Sequence, residues 1–323
     1  MISFLIPHSS FLICFRRKES LMYDLIIVGG GPAGLTAAVY ARRAGKSVLV
    51  IEKNTFGGQI TWSPRVENFP GFVSVSGAEL GDLMTNQAME QGAEVELEEV
   101  TAIRDDGDHK TVLCASGAQF EARSVILAVG ARPRPLGVER EEELVGSGVN
   151  YCAVCDGAFY AGLPVAVVGG GNSALQDAML LSETCSKVYL IHRRDSFRGE
   201  QALADALAQK ENVEFVLNAS VAELLGDDAL TGVVVEQDGA RRTLAVEGVF
   251  VAVGHMPQNG AFENLVALDA RGYADSGEDC VTAAPGVFVA GDCRRKTVRQ
   301  LTTATADGAV AALAAVHYID SNP

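Results

Sequence analysis

The chain has few basic residues for its length. Its 323 residues include 26 Lys and Arg against 41 Asp and Glu, so the formal net charge is −15. A protein that binds nucleic acid in general needs a basic face, and this balance therefore removes nucleic acid from the expected partners. Acidic runs at residues 94–99 and 139–143 are interpreted as solvated faces, although they could also attract a basic partner.

The sequence also lacks an apolar run long enough to cross a membrane, which takes about 20 residues. The apolar stretch at residues 2–15 is interrupted at 7–10, and its positive charges at 16–18 follow it. That order is wrong for a signal peptide. We expect residues 1–21 to be a disordered tail or to lie upstream of a true start at Met22, and we favour this over a membrane anchor. A cytoplasmic protein is expected.

Cysteine is sparse and irregularly spaced, at positions 14, 114, 152, 155, 185, 280 and 293. This spacing is not that of a disulfide framework, and it indicates mostly buried thiols in a reducing compartment. Only Cys152 and Cys155 are close enough in sequence to form a working pair. A second C-x-x-C is absent and the five histidines are scattered, so no metal site is expected. Half of a zinc site and a pair of inert thiols remain as alternatives.

Two glycine-rich loops are the most informative feature that is present. In the first, an apolar run at 25–28 leads into G-x-G-x-x-G with glycines at 29, 31 and 34. A helical run at 35–44 and a strand at 47–51 ending at Glu52 follow. The glycines allow a tight turn close to a pyrophosphate, the helix N-terminus attracts phosphate, and the acid accepts hydrogen bonds from a ribose. This order predicts an adenine-dinucleotide site.

The second loop repeats the plan with a different ending. A strand at 164–168 leads into G-x-G-x-x-A at 169–174, a helix at 175–182 and a strand at 187–191. In place of Glu52 this strand is followed by His192, Arg193 and Arg194, with Arg198 nearby. A carboxylate suits a free ribose hydroxyl, whereas guanidinium groups suit a 2′-phosphate. The second site is therefore predicted to bind NADP(H), with a solvated basic patch as the alternative.

The repeat predicts one domain inserted into another. Ala-Val-Gly occurs at 128–130 and 252–254, each followed three residues later by a proline, and marks the two crossings between domains. A strand at 286–292 and a helix at about 302–318 return to the first domain. We predict an α/β protein with two Rossmann-like three-layer (ββα) nucleotide-binding domains. Residues 22–131 and 255–323 form the first domain, and residues 132–254, which carry the cysteine pair, form the second.

The cysteine pair is interpreted as a thiol–disulfide couple. One thiolate attacks a partner disulfide and the second sulfur resolves the mixed disulfide. Asp156, directly after Cys155, is placed to move protons as thiol and thiolate interconvert. A hydride from NADPH needs a flavin to reach sulfur efficiently, which explains two nucleotide loops in one chain.

Together these motifs resemble the low-molecular-weight, bacterial-type thioredoxin reductases, class II of the pyridine nucleotide-disulfide oxidoreductases, over residues 22–323. The resemblance is carried by residues 29–34, 57–59, 66–71, 152–157, 169–174, 192–198 and 291–300. The glutathione-reductase class instead has C-x-x-x-x-C soon after its first loop, and that motif is absent here.

The resemblance implies an NADPH-dependent reductase of thioredoxin disulfide. Hydride would pass from NADPH to FAD, then to the Cys152–Cys155 disulfide, and then to thioredoxin. Cys155 would face the flavin, Cys152 would exchange with thioredoxin, and Asp156 would be the acid. It also implies a homodimer and a second domain that rotates between two states, with the crossings as hinges. The implied FAD residues are Gly29, Gly31, Pro32, Ala33, Gly34, Glu52, Lys53, Gly58, Gln59, Asn68, Gly130, Asp292, Arg299 and Gln300. The implied NADPH residues are Gly169, Gly171, Asn172, Ser173, Ala174, His192, Arg193, Arg194 and Arg198.

A few residues depart from the pattern, and other functions stay open. Val154 and Val129 stand where many relatives have threonine, and the basic run 294–296 has no role that the sequence assigns. One alternative is a flavoprotein of the same build that acts on a glutaredoxin-like or peroxidase-associated partner, or as a dithiol oxidase. Another is a non-catalytic nucleotide sensor, which retention of both cysteines and Asp156 argues against.

Overall fold

The computed structural model of the protein describes residues 22–63 and 65–323. The expectation for residues 1–21 lies outside the described residues. Within them, parallel sheets alternate with helices, so the predicted α/β class is confirmed.

Strands and helices follow one another in two similar series. The strands are β1 Tyr23–Val28, β2 Val48–Glu52, β3 Glu94–Leu97, β4 Val100–Asp105, β5 Lys110–Cys114, β6 Gln119–Leu127, β7 Ala131–Pro133, β8 Val149–Asn150, β9 Pro164–Val168, β10 Lys187–Ile191, β11 Val213–Val216, β12 Ala219–Leu225, β13 Gly232–Gln237, β14 Ala240–Leu244, β15 Gly248–Val251, β16 His255–Pro257 and β17 Val287–Val289. The α-helices are α1 Pro32–Arg43, α2 Gly77–Glu90, α3 Ala153–Asp156, α4 Asn172–Ser182, α5 Gln201–Ala208 and α6 Leu301–Ser321. Short 3₁₀ helices lie at Gly58–Trp62, Gly157–Tyr160, Gly260–Phe262 and Gly291–Cys293.

The first unit is built on a seven-stranded sheet in the order β3-β2-β1-β6-β5-β4, with β17 also paired to β6. Alternate residues of β1 enter two different apolar clusters, Leu25 and Ile27 on one face and Ile26 and Val28 on the other. Because β1 is buried on both faces, its sequence is a continuous apolar run. Because β17 runs parallel to β6, with Val287 opposite Val125, the C-terminal segment returns to the N-terminal sheet.

The second unit is built on a five-stranded parallel sheet in the order β11-β10-β9-β15-β8. A separate antiparallel sheet, β12-β13-β14, packs against it through a shared apolar cluster. The two chain crossings between the units pair with each other, since β7 and β16 form an antiparallel ribbon with Pro257 opposite Ala131.

Most of the predicted elements are present, with shifted ends. The strands at 164–168 and 187–191 are confirmed. Ser76 is the N-cap residue of α2, and its hydroxyl accepts from the backbone N–H of Glu79 at 3.1 Å. The predicted starts of the two loop helices at 35 and 175 were wrong by three residues, because Gly31 and Gly171 are themselves the N-cap residues. The predicted strand at 286–292 is shorter, since a 3₁₀ turn begins at Gly291.

Candidate active site

A cavity of about 490 Å³ lies where the two units meet. Its volume is in the usual range for a small-molecule site, about 300–1,000 Å³. The wall includes the first glycine loop, the ends of β2 and β6, the Gly291–Asp292 turn and the start of α6. It also includes residues 152–156. The structure thus brings the cysteine motif to the first predicted dinucleotide site.

The first glycine loop has the backbone that a pyrophosphate needs. Gly29 has a φ of +110°, and a Cβ there would lie 2.3 Å from the carbonyl oxygen of Ala128. Gly31 is the N-cap residue of α1 and a Cβ on it would meet nothing within 4 Å. Pro32 occupies the first turn of α1, where the lack of an N–H costs no hydrogen bond. The N–H groups at this helix end are therefore open to an anion.

Glu52 lines the cavity, and two backbone N–H groups hold its carboxylate in place. Its Oε2 accepts from the backbone N–H of Gly30 at 2.8 Å, and its Oε1 accepts from that of Asn54 at 2.9 Å. Glu52, Lys53 and Val129 also line a second cavity of about 390 Å³. The two cavities adjoin along these residues, so the space suits an extended ligand such as a dinucleotide.

Asp292 supplies an unpaired acceptor to the same space. Its Oδ1 is buried and has no hydrogen-bond partner among the described residues. Burial raises the pKa of Asp292, against opposing effects from Lys296 and Arg299. A buried polar atom without a partner is costly, so a ligand hydroxyl at this point would be stabilised. The unpaired oxygen of Asp292 suits a hydroxyl of the ribityl group of a flavin dinucleotide, and the open end of α1 suits its pyrophosphate.

The other predicted FAD residues lie around the cavity rim. Gln59 donates through Nε2 to the carbonyl oxygen of Ala131 at 3.0 Å. Asn68 Nδ2 lies 3.5 Å from Gln300 Oε1. Arg299 stacks over the ring of Tyr273 at 4.1 Å. Gly58, Gln59, Asn68, Gly130, Arg299 and Gln300 all line the cavity, as do Gly31, Pro32 and Ala33, whereas Gly34 packs behind the loop against the carbonyl of Gly29.

Cys152 and Cys155 form a disulfide, with their Cα atoms 5.2 Å apart. Cys152 caps the four-residue helix α3, and its Sγ accepts from the backbone N–H of Cys155 at 3.2 Å. Both sulfurs are therefore joined in one bond, which agrees with the interpretation of the pair as a thiol–disulfide couple. Burial raises the pKa of Asp156 to about 6. A carboxyl group with that pKa exchanges protons readily near neutral pH.

The second glycine loop opens mostly away from this cavity. A Cβ on Gly169 would lie 2.5 Å from the carbonyl oxygen of Ala252, and Gly171 is the N-cap residue of α4. Of the predicted NADPH residues, only Ser173 lines the cavity. Asn172 is engaged with Glu200, donating through Nδ2 at 3.0 Å and accepting the backbone N–H at 2.7 Å.

The basic residues after β10 divide into one buried and three exposed groups. His192 is buried beneath the loop, where a Cβ on Gly170 would lie 2.2 Å from its ring. Burial, followed by the charge of Arg198, lowers the pKa of His192. The side chains of Arg193, Arg194 and Arg198 are exposed and form no ion pair within residues 22–63 and 65–323. These three guanidinium groups are available to an anionic ligand.

Two residues of this region, Asp177 and Arg65, were missed from the sequence. Asp177 lines the cavity, and burial raises its pKa to about 6. It lies four residues after Ser173 on α4, so helical spacing could have placed it on the same face. The guanidinium of Arg65 lies 4.1 Å over the ring of Phe159, and no sequence pattern predicts this contact.

Among the described residues, none of the helices is sufficiently long and apolar to span a membrane.

Comparison with known proteins identifies the family. The model of the pyridine nucleotide-disulphide oxidoreductase family matches residues 23–308. The thioredoxin reductase of Listeria monocytogenes is 43% identical over 306 residues, covering 94% of this chain and 96% of the relative, and that of Bacillus subtilis is 41% identical over the same shares. The crystal structure of thioredoxin reductase from Streptococcus pyogenes superposes with a TM-score of 0.88 at 40% identity, over 93% of this chain and 99% of that one. The Lactococcus lactis thioredoxin reductase in its FR conformation gives 0.66 at 36% identity over the same shares. This chain therefore belongs to the pyridine nucleotide-disulphide oxidoreductase family, and within it to the group of the thioredoxin reductases.

Proposed function

We propose that this protein reduces the disulfide of thioredoxin with electrons from NADPH, using FAD bound in the first unit. The overall reaction consumes NADPH and one proton and converts the thioredoxin disulfide into a dithiol. One observation carries the proposal. The Cys152–Cys155 disulfide lines the same cavity as the open N-terminus of α1 and Asp292, whose buried Oδ1 has no hydrogen-bond partner among the described residues. A redox-active disulfide and a dinucleotide site thus face one space.

The two nucleotides are assigned by the chemistry of their sites. In the first unit Gly31, Glu52, Asp292 and the start of α6 would hold FAD. In the second unit the α4 N-terminus would hold a pyrophosphate, and the three exposed arginines 193, 194 and 198 would hold the 2′-phosphate of NADPH. FAD, when bound, supplies the two-electron chemistry that links a nicotinamide to a disulfide.

The cysteine motif is assigned the exchange with thioredoxin. Cys155 is the sulfur proposed to face the flavin, and Cys152 is the sulfur proposed to attack the thioredoxin disulfide as a thiolate. Cys155 then resolves the mixed disulfide and restores the internal bond. Asp156 holds or releases the proton at these sulfurs, and its raised pKa of about 6 supports that role.

Apart from Ser173, the residues of the predicted NADPH site do not line the FAD cavity, so we propose that the units move relative to each other. Cys152–Asp156 line the FAD cavity in this structure, whereas residues 193–198 do not. The Streptococcus pyogenes structure matches this chain with a TM-score of 0.88, but the Lactococcus lactis structure matches it with only 0.66 at similar identity and coverage. A different placement of two rigid units lowers the score without reducing the number of matched residues. The difference in score therefore supports a second arrangement of the units. The β7–β16 ribbon is the proposed hinge.

We further propose that residues 22–131 and 255–323 form the FAD domain and residues 132–254 the inserted NADPH domain. The pairing of β17 with β6 supports this division. A homodimer is proposed on the similarity to the family. A cytoplasmic location is proposed on the buried cysteines that remain thiols among the described residues, 114, 185, 280 and 293. A related candidate function is the reduction of another redox protein by the same chemistry.

The test is NADPH-dependent reduction of insulin or of DTNB through candidate thioredoxins from the same genome. The wild-type holoenzyme is expected to turn over with at least one thioredoxin. Cys152→Ser is expected to abolish turnover while NADPH still bleaches the flavin, and Cys114→Ala, which removes a buried thiol at the end of β5, is the control. Retained turnover in Cys152→Ser would contradict the roles assigned to the sulfurs. Turnover with a glutaredoxin-like protein but with no thioredoxin would favour the second candidate.

A further inference from the structure

The basic run Arg294-Arg295-Lys296 places two of its three cations inside the protein. The Arg294 side chain is 2% exposed and that of Lys296 is 6% exposed, whereas that of Arg295 is 63% exposed and pairs with Asp275 at the surface. Burying two cations is costly unless they are paired and hydrogen-bonded. Their position two and four residues after Asp292 calls for a reason other than solubility.

Both cations converge on the carboxylate of Asp307 in α6. Arg294 donates from Nε to Oδ2 at 2.8 Å and from Nη2 to Oδ1 at 2.9 Å. Lys296 donates to Oδ2 at 2.9 Å, and the backbone N–H of Gly291 donates to the same oxygen at 3.0 Å. Burial opposes ionisation, but hydrogen bonds from Arg294 and Lys296 hold the pKa of Asp307 below its ordinary value. Asp307 is therefore a buried anion with four donors.

Asp307 and its neighbour Gly308 lie at the junction of three segments that line the FAD cavity. The first is the Gly291–Asp292 turn, through the Gly291 N–H. The second is the first turn of α1, because a Cβ on Gly308 would lie 2.2 Å from the carbonyl oxygen of Ala33. The third is the start of α6, where Lys296 Nζ donates to the carbonyl oxygen of Thr303 at 3.3 Å.

The network is better suited to fixing geometry and charge than to adding stability. A buried ion pair contributes little net stability compared with apolar residues of the same volume. Arg294 also pairs with the exposed Glu278 at 3.3 Å, whereas Lys296 is the cation of the network that acts on the cavity-facing acid Asp292. The charge of Lys296 acts against the burial that raises the pKa of Asp292.

We propose that Asp307, held by Arg294 and Lys296, is a positioning residue for FAD. It fixes the Gly291 N–H and so sets the Gly291–Asp292 turn that receives the cofactor, and Lys296 supplies the positive charge that compensates Asp292. This inference rests on the proposed function, because it takes FAD as the ligand of the first unit.

Removing one charge at a time from the basic run tests the proposal. Lys296→Met removes the buried cation, and Arg295→Met removes an exposed cation from the adjacent position. FAD affinity of the apoprotein, measured by quenching of flavin fluorescence, is expected to fall about 10- to 100-fold in Lys296→Met, as for the loss of a charge-assisted hydrogen bond. Arg295→Met is expected to bind FAD within about twofold of wild type, and Lys296→Arg is expected to restore most of the affinity.

The flavin reduction potential separates positioning from a purely structural role. Reduced flavin carries a negative charge at neutral pH that the oxidised form lacks, so losing the Lys296 cation is expected to favour oxidised FAD about tenfold. That preference lowers the potential by about 30 mV for a two-electron couple. Arg295→Met should leave the potential unchanged. Equal affinities and equal potentials for Lys296→Met and Arg295→Met would overturn the proposal.

A charge-conserving variant covers the case in which Lys296→Met fails to fold. Asp307→Glu keeps the anion but lengthens the side chain, so it displaces the carboxylate from the Gly291 N–H. Its FAD affinity is expected to fall about tenfold, and wild-type affinity would overturn the proposal.

If the wild-type apoprotein bound no FAD, both the proposed function and this positioning role would fail. If wild type binds FAD and reduces thioredoxin while the Lys296 and Asp307 variants match it, only the positioning role fails.

Discussion

The side-chain nitrogen Nε2 of Gln300 lies 3.9 Å from Sγ of Cys152, across 148 residues of sequence. Gln300 is the N-cap residue of α6, where its side chain and that of Thr303 form a capping box. The disulfide is thus placed at the N-terminal end of a 21-residue helix. A helix N-terminus stabilises a thiolate, so this contact favours the charged form of Cys152 after reduction.

Replacing Gln300 should therefore raise the pKa of the reduced Cys152 thiol. In a Cys155→Ser background, Gln300→Ala is expected to raise it by about 0.3–0.7, which corresponds to roughly 0.5–1 kcal/mol. The pH dependence of alkylation by iodoacetamide measures this value. Thr303→Ala is the matched control, because it removes the capping-box bond from Gln300 N–H to Thr303 Oγ1 at 3.1 Å and leaves the amide–sulfur contact. An equal shift in both variants would assign the effect to the cap alone.

A second contact between the units involves Arg65 and Phe159. The guanidinium lies 4.1 Å over the ring, a geometry that contributes about 0.5–1 kcal/mol at a partly exposed site. If this contact favours the present arrangement of the units, Arg65→Ala should shift the population toward the other arrangement by about two- to fivefold. The anaerobic rate of flavin reduction by NADPH, followed by stopped flow, should rise by that factor.

Arg242→Ala is the control for the Arg65 experiment. Its guanidinium lies 6.0 Å from the ring centre of Tyr189 within the second unit, so its loss should not change the balance between arrangements. A reduction rate in Arg65→Ala that matches the control would show that this stacking does not bias the motion.

The sequence allowed the sheets and both nucleotide loops to be predicted, but not the contacts between the units. Strands such as β9 were recognisable because their residues are apolar and buried on both faces, a property of the local sequence. The contact of Gln300 with Cys152 depends on how two distant segments pack. The helix α3 has only four residues, too few for a periodic pattern. The run 294–296 resembles a solvated basic patch, and only the position of Asp307 on α6 explains its burial.

The choice between NADPH and NADH should depend on the exposed arginines after β10. Arg193→Ala combined with Arg194→Ala is expected to raise the KM for NADPH far more than that for NADH. The difference should be about 10- to 100-fold, since losing the two guanidinium–phosphate contacts together costs on the order of 1.4–2.8 kcal/mol. Steady-state kinetics with both nucleotides measure the change in preference.

A second pair of arginines provides the matched control for that experiment. Arg241→Ala with Arg242→Ala removes the same charge from β14, where the side chains pair with Glu223 and Glu214. This variant should keep the wild-type nucleotide preference. An unchanged preference in the Arg193 and Arg194 variant would mean that the 2′-phosphate is bound elsewhere.

Asp177 makes the stability of the protein depend on pH. Burial raises its pKa from 3.8 to about 6, so the folded state holds this proton more tightly than the unfolded chain does. The stabilisation is fully present below pH 3.8 and is lost as the pH rises through about 6. A difference of roughly two in pKa corresponds to at most about 3 kcal/mol in the free energy of unfolding. Asp177→Asn, which cannot ionise, should therefore be more stable than wild type at pH 8 by up to about 3 kcal/mol.

Urea unfolding at pH 8 and at about pH 4 measures this difference. The gain from Asp177→Asn should shrink toward zero at the lower pH, because the wild-type carboxyl is then protonated in the folded state. Asp82→Asn, at an exposed position on α2, should show no pH-dependent gain.

Asp156→Asn should show the same pH-dependent gain in stability as Asp177→Asn, since burial also raises the pKa of Asp156 to about 6. Only Asp156→Asn, however, should slow thioredoxin reduction, because Asp156 directly follows Cys155 in the disulfide. Comparable slowing in Asp177→Asn would instead mean that both carboxyl groups carry protons to the sulfurs.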